Sequence, residues 1–292
     1  MACGIDKLVL LSDKIEKEFL DLAREQGSAR GGYGRVIDLR QTRYKLPVIL
    51  YCDGQHNGKH KIEVAGVARL GLRGTRQILK IILGHLSAAR IYRIDLCTDI
   101  SDLWVWDLAE VVLVSRSQNF KIYNNRGGVT FYLKNSAHKT ILLYDKVKQF
   151  AAKGDPLADT FRPGERLTRI EVQLKGRGVP FKKIRHLHRY VDVDLLGQLH
   201  LRRLKRLRHD VKPLHLLAAG GLRRLIHKYG LHAARKRFSP SQWAYIEETL
   251  FGVLEGEEIP DLRLRLKRSI EDWLENRIRF PRFPPTSSTD DR

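Results

Sequence analysis

The chain is short of acidic residues, of cysteine and of long apolar runs, and each shortage narrows what the protein can be. Only 33 Asp and Glu stand against 54 Lys and Arg, a formal net charge of +21 over 292 residues. A surplus of that size favours a polyanionic partner, with nucleic acid ahead of an anionic membrane. No run of about 18 apolar residues is present, so a transmembrane helix is not expected and neither is a membrane partner. Three scattered cysteines, Cys3, Cys52 and Cys97, make no CxxC pair and no disulfide framework. With no signal-peptide pattern in Met1-Ala2-Cys3-Gly4-Ile5-Asp6-Lys7, they predict a reduced, cytoplasmic protein. HExxH, P-loop and GxSxG motifs are also missing, which removes the common zinc-protease, nucleotide and serine-hydrolase readings.

The length suffices for one large domain or two smaller ones. Ser12-Asp13 reads as the cap of a helix running to Gly27, with Ile15, Phe19, Leu20 and Ala23 at helical spacing. Residues 28 to 34 are Gly-rich and basic and read as a loop. Residues 47 to 51 and 61 to 67 read as strands joined by Asp53-Gly54 and Asn57-Gly58 turn chemistry. Thr75 opens an apolar helix to Leu86, and Ser101-Asp102 caps another over residues 103 to 114. Strands are expected again at residues 121 to 123, 129 to 134, 141 to 146 and 167 to 175. The fold class that follows is α+β: a mostly antiparallel sheet with helices on one face and an open catalytic face, followed by a basic helical C-terminal region.

The composition shifts after Gly176-Arg177-Gly178. Residues 181 to 240 carry 16 Lys and Arg against 3 Asp and Glu, and seven of the eleven histidines. Leu195, Leu196, Leu199, Leu204 and Leu207, then Leu214, Leu216, Leu217, Leu222, Leu225 and Ile226, recur at helical spacing and predict helices with basic faces. Arg202, Arg203, Lys205, Arg206 and Arg208, extended by Arg223, Arg224, Arg235, Lys236 and Arg237, are dense enough to track a phosphate backbone. His186 and His188 superficially match a paired-histidine ligand motif, but they follow the candidate strands and read as phosphate contacts or plain surface. Ser239-Pro240 caps a helix from Ser241 to Leu254, and Asp261 opens a last one ending near Arg279. The predicted organisation is an α+β nickase-like catalytic domain over 1–178, a basic helical DNA-binding region over 179–279 and a flexible tail over 280–292.

Three segments carry the chemistry: Arg93-Ile94-Asp95-Leu96-Cys97-Thr98-Asp99, Leu142-Leu143-Tyr144-Asp145-Lys146 and Arg169-Ile170-Glu171-Val172-Gln173-Leu174-Lys175. Each alternates apolar with polar residues, the pattern of a strand with one dry and one wet face. Because strand side chains repeat every two residues, Arg93, Asp95 and Asp99 share a face, as do Arg169, Glu171 and Gln173, and Tyr144 with Lys146. Asp145 falls opposite and reads as a turn or ion-pair residue. Carboxylates gathered on one face suit Mg2+ or Mn2+, which prefer oxygen ligands and keep sites open for phosphate oxygens. A tyrosine beside such an ion can attack phosphorus, and cations can stabilise the transferring phosphate. Alternation of this kind is also what a solvated strand face looks like.

At these residues the sequence resembles the replication initiation factor family: tyrosine initiators of rolling-circle plasmids (Rep_trans type), filamentous-phage replication proteins and related conjugative relaxases. Arg93-Ile94-Asp95 through Asp99 matches the family's R-[IL]-D-x-x-x-D strand. Gly128-Val129-Thr130-Phe131-Tyr132 followed by Ile141 through Lys146 matches its tyrosine hairpin, and Arg169-Ile170-Glu171 through Lys175 its R-x-E-x-x-L-K strand. The resemblance spans residues 60 to 176. Leu133-Lys134-Asn135-Ser136-Ala137, Leu142 and Gln149 depart from the family pattern, the marks of a divergent member. The resemblance implies nicking of one DNA strand at an origin, with Tyr144 as nucleophile, Tyr132 as the alternative nucleophile or a base-stacking residue, Asp95, Glu171 and Asp99 as ligands of Mg2+ or Mn2+, and Lys146 and Arg169 on the phosphate. The partner it implies is single-stranded or hairpin origin DNA, with a host helicase, a host polymerase and a second copy of the chain as further candidates. The competing expectation is a non-catalytic basic DNA- or RNA-binding protein.

Overall fold

The computed structural model describes residues 4–54, 59–101, 105, 112–114, 119–125, 128–134, 136–162, 164–196, 199–204, 221, 222, 224, 225, 234–253 and 261–277. In chain order the strands are β1 (Gly4–Ser12), β2 (Ser28–Arg30), β3 (Tyr33–Asp38), β4 (Val48–Gly54), β5 (His60–Val64), β6 (Ala89–Ser101), β7 (Val112–Val114), β8 (Asn119–Asn125), β9 (Gly128–Lys134), β10 (Lys139–Asp145), β11 (Leu167–Lys175), β12 (Leu199–Leu204) and β13 (Phe251–Val253). The helices are α1 (Lys17–Gln26), α2 (Val67–Leu83), α3 (Lys146–Lys153), α4 (Pro240–Leu250) and α5 (Leu262–Leu274). The protein is an α+β molecule built on a ten-stranded sheet in the order β2-β3-β4-β5-β1-β6-β11-β10-β9-β8. Every pairing in it is antiparallel. A second, three-stranded sheet runs β13-β12-β7.

The expected strands at 47 to 51, 61 to 67, 121 to 123, 129 to 134, 141 to 146 and 167 to 175 all appear as β4, β5 and β8 to β11. The helix expected to begin at Asp261 appears as α5, with the Asp261 carboxylate accepting from the backbone N–H groups of Arg263 and Leu264 at 3.0 and 3.2 Å. Asp145 proves to be a cap as well, its carboxylate accepting from the Lys148 N–H at 3.0 Å to start α3.

Other readings need correction. Gly4–Ser12 is a strand, so the first helix starts at Lys17 rather than Ser12. Its run of four apolar residues, Leu8 to Leu11, belongs to a strand flanked on both edges by other strands. Residues 28 to 34 form the β2–β3 hairpin, not a loop, and Gly31 and Gly32 both take positive φ in the two-residue turn (59° and 79°). The helix opened at Thr75 begins at Val67. The stretch 103 to 114 ends in β7, and the helix of 241 to 254 gives way to β13 after Leu250. In the basic region, Ile184–Asp192 is a 3-10 turn and Leu199–Leu204 a strand. The alternation Leu199-His200-Leu201-Arg202 has period two as well as helical spacing, and pairing with β7 and β13 selects the strand. Cys97 is disulfide-bonded, a pairing that sequence spacing does not reveal, while Cys52 is buried and free.

Helices cover one face of the sheet. Ile5, Leu8, Leu10, Ile62, Ile94, Leu96, Ile170 and Val172 point into that core at 0% exposure. α5 is pressed closely onto it. A Cβ on Gly4, whose φ is +73°, would come within 2.4 Å of the Trp273 Cβ, so only glycine admits the helix at this distance. The fully buried Trp273 indole donates from Nε1 to the Val67 carbonyl at 2.8 Å, tying α5 to α2. Thr98 on β6 and Ser269 on α5 satisfy each other's hydroxyls at 2.9 Å, as burial demands. The opposite face is only partly open over its middle strands: α3 lies on that side, its Gln149, Ala152 and Lys153 lining a cavity together with strand residues.

Because α5 completes this core, replacing Trp273 by Ala is expected to cost about 3–5 kcal/mol, the range for truncating a buried aromatic. Chemical denaturation of the full chain checks this. A loss below about 1 kcal/mol would mean that α5 is not docked as described.

Candidate active site

The open face is organised by register. Tyr144 on β10 lies opposite Arg169 on β11, and Arg169 opposite Asp99 on β6. In the next row Leu142 faces Glu171, and further along Gln173 faces Asp95, which faces Lys7 of β1. Directly opposed residues of an antiparallel pair bring their Cβ atoms within about 5.5 Å, so these rows place the polar side chains in contact. The sequence-derived residues Asp95, Asp99, Tyr144, Arg169 and Glu171 are therefore neighbours on the middle strands.

Burial of these groups makes their pairing obligatory. Asp95, Asp99, Tyr144, Arg169, Glu171 and Lys146 are all less than a tenth exposed. A lone charge there would cost several kcal/mol. Arg169 answers with every branch of its guanidinium: Nε and one Nη donate to the two Asp99 oxygens at 2.6 and 2.8 Å, and the other Nη to Asp6 at 2.6 Å. Arg93 grips Asp95 in the same bidentate way, at 2.8 and 2.7 Å. The Tyr144 hydroxyl donates to one Glu171 oxygen at 2.8 Å, and the Gln173 amide to the other at 2.7 Å. Lys146, on the first turn of α3, donates to Gln149 at 2.7 Å and sits 5.6 Å from the centroid of the Tyr144 ring.

Titration follows from this packing. Burial, reinforced by the Glu171 charge and opposed by Arg93, pushes the Asp95 carboxyl up to about 7. Burial and then the neighbouring Arg169 bring Lys146 down to about 8. Burial and then Glu171 hold the Tyr144 hydroxyl well above the ordinary tyrosine value. Burial would raise Asp6, but Arg169 and Lys146 outweigh it and hold that carboxyl low.

A cavity of about 590 Å³ opens over this floor. Asp95, Glu171, Tyr144 and Tyr132 line it, with Arg93, Lys7 and Lys153 supplying cations. Asp99 and Arg169 lie below, turned to each other. Among the described residues no group of three or more His, Cys, Asp or Glu is gathered to hold a metal ion. Asp95 and Glu171 remain as a pair of carboxylates facing one cavity. Tyr132 is partly exposed and stands edge-on to Tyr123.

Sequence reasoning missed Asp6 and Lys7, which lie on β1. The signal for that strand is Leu8 to Leu11, a short apolar run of the kind a strand buried on both faces carries. Of the basic residues, Arg224, Arg235, Lys236 and Arg237 are exposed, and Arg202 and Arg203 fall on β12. Lys205, Arg206, Arg208 and Arg223 lie outside the described residues. His186 and His188 sit on the 3-10 turn, where His188 Nδ1 meets the Arg185 carbonyl at 3.0 Å. No helix among the described residues is long and apolar enough to cross a membrane.

Two outcomes are expected. Arg169→Met strands a buried Asp99 carboxylate and should cost about 3–5 kcal/mol at neutral pH. Adding Asp99→Asn should recover part of it, which denaturant titration of the single and double variants measures. For Asp95, whose folded value near 7 lies above its ordinary 3.8, the folded state binds the extra proton. Its contribution to stability is thus full below about pH 4 and lost as pH rises through about 7. Asp95→Asn should flatten that part of the stability–pH curve, and an unchanged curve would refute the assignment.

No protein-family model matches the chain, and no curated protein sequence matches it. Among solved structures, a chain described as a rolling circle replication initiator protein from Geobacillus stearothermophilus aligns over 93% of this chain and 96% of its own length, at 13% identity and a TM-score of 0.39. At that distance no residue role passes from one chain to the other.

Proposed function

We propose that the protein initiates rolling-circle replication as a tyrosine DNA nickase, cutting one strand at an origin. One observation carries this reading: the Tyr144 hydroxyl is hydrogen-bonded to the Glu171 carboxylate on the floor of a cation-lined cavity. A tyrosine so placed has a proton acceptor already in position.

In the step envisaged, Tyr144 Oη attacks the scissile phosphorus while its proton passes to Glu171. The new bond is a 5′-phosphotyrosine linkage, and the bond broken is that between phosphorus and the 3′ oxygen. Because Tyr144 holds its proton tightly, transfer to Glu171 accompanies attack rather than preceding it. Lys146, titrating near 8, is protonated at neutral pH and close enough to deprotonation to give its proton to the departing 3′ oxygen. Arg93, Lys7 and Lys153 offset the phosphate charge from the cavity wall. Arg169, fully engaged by Asp99 and Asp6, acts through its charge and by fixing the strands.

Mg2+ or Mn2+ fits the donor set of Asp95 and Glu171. Such ions are commonly held by one or two carboxylates, with water and substrate phosphate completing the shell. Glu171 is one of the charges raising Asp95, so a divalent cation facing both would relieve that repulsion. Bound there, the ion would supply Lewis-acid stabilisation of the phosphate. Asp99 would serve through Arg169. The exposed arginines and Lys236 of the C-terminal region would bind DNA backbone, with affinity falling steeply in salt.

The second reading, a non-catalytic nucleic-acid-binding protein, is favoured by one feature: Asp95 and Asp99 are each closed by a bidentate arginine. Denaturing gels of single-stranded and hairpin DNA incubated with Mn2+ separate the two. Wild type should form a covalent protein–DNA band that EDTA abolishes. Tyr144→Phe should form none, and Tyr132→Phe should retain it. Lys146→Met should slow formation roughly 10²–10⁴-fold, and the wild-type rate should fall as pH rises through about 8. A band surviving in Tyr144→Phe and lost in Tyr132→Phe would move the nucleophile to Tyr132. Salt-sensitive binding with no band at all would favour the second reading.

A further inference from the structure

Tyr123 is 47% exposed on β8, the edge strand of the large sheet. Among the described residues the other exposed large apolar side chains are Ile81, Tyr245 and Leu264, all on helices. A single exposed aromatic needs no explanation, but the position of this one is specific. Tyr123 lies opposite Thr130 on β9, and Thr130 opposite Tyr144 on β10. The three residues form one cross-strand row on the open face. At about 4.8 Å per strand, Tyr123 stands roughly 10 Å from Tyr144 along it.

Its neighbour reinforces the placement. Tyr123 and Tyr132 meet with ring centroids 5.0 Å apart and planes at 76°, and Tyr132 lines the same cavity as Tyr144. An edge-to-face contact fixes one ring against the other without covering both faces. Cations flank the pair. Lys153 lines the cavity, and the exposed Lys148 runs against Gly128 at the start of β9, where an added Cβ would meet its Cδ at 3.0 Å. Aromatic faces beside lysines are the chemistry that holds unpaired nucleotides: rings stack on bases and cations neutralise phosphates.

We propose that Tyr123, buttressed by Tyr132, is a base-stacking platform for an unpaired nucleotide flanking the phosphate presented to Tyr144. The inference rests on the nickase reading for its register with Tyr144, and it makes Tyr123 a positioning residue. It also gives Tyr132 a task other than nucleophilic attack. Stacking does not depend on base identity, so the platform grips single strands of any sequence.

The test uses the full chain and a 20-nucleotide single-stranded oligo(dT) carrying one 2-aminopurine, moved through successive positions. Wild type should quench the fluorescence most strongly at one or two positions. Tyr123→Ala should abolish that quenching and weaken binding roughly 5- to 150-fold, the range for loss of one base–aromatic stack, while Tyr123→Phe should keep both. Because Tyr123 is exposed, the variants should melt like wild type. Unchanged affinity and quenching in Tyr123→Ala would overturn the platform whether or not the wild type forms a covalent adduct. Position-specific quenching lost in Tyr123→Ala, in a protein that forms no adduct on any DNA, would keep the platform and remove the nickase reading.

Discussion

The guanidinium of Arg169 is the interaction on which the site depends. It reaches from β11 to Asp99 on β6 and to Asp6 on β1, joining strands whose sequence positions differ by 70 and 163 residues. A buried arginine of this kind adds little net stability over a well-packed apolar cluster, because desolvation offsets most of the attraction. What it does fix is arrangement. A one-residue slip of any of the three strands would move its carboxylate or guanidinium to the helix-covered face and leave the others without partners beneath the cavity. The charge is thus a register pin for the middle of the sheet. That register in turn sets Tyr144 beside Glu171 and Asp95 in the same cavity.

The pin explains which part of the site was legible. Period-two alternation in the segments around Asp95, Tyr144 and Glu171 identified three strands, their polar faces and the residues that meet there, and β6, β10 and β11 are neighbours as that reading required. Alternation says nothing about which carboxylate faces which cation. Asp99 stood as a third ligand beside Asp95 and Glu171 because it shares the Asp95 face. In the fold, Asp99 lies under Arg169 while Asp95 opens to the cavity. Burial of both faces hid β1 for a related reason. Leu8, Val9 and Leu10 are all buried, so this stretch carries an apolar run rather than a clean alternation and reads equally as the lead-in to a helix.

The C-terminal region was the least legible. Leucines spaced by three and four residues among arginines satisfy a helical period, but Leu199–Leu204 satisfies a strand period too. The choice between them is made by partners that no local pattern reveals, β7 from residues 112 to 114 and β13 from residues 251 to 253. The final helix was legible in its start, through the Asp261 cap, but it ends at Leu274 rather than near Arg279, and its role was not legible. Its amphipathic face could have served any surface. The Gly4 position shows which one: a strand residue without a side chain, directly beneath Trp273.

That back-side packing bears on the chemistry of the front. β1 is held on one face by α5 through Gly4 and, on the other, offers Asp6 and Lys7 to the site. The glycine that lets the helix approach and the aspartate that completes the Arg169 pair are two residues apart on one strand. They act on opposite faces because the register shift between Ile5 and Lys7, together with the positive φ of Gly4, interrupts the alternation of β1 there. Any displacement of α5 that shifts β1 along its neighbours therefore alters the charge beneath Tyr144. Asp6 is among the charges raising the Tyr144 hydroxyl, and Arg169 is the one lowering it. Core and site thus meet on β1, as they do on β6, where Thr98 bonds Ser269 of α5 on one face and Asp99 holds Arg169 on the other.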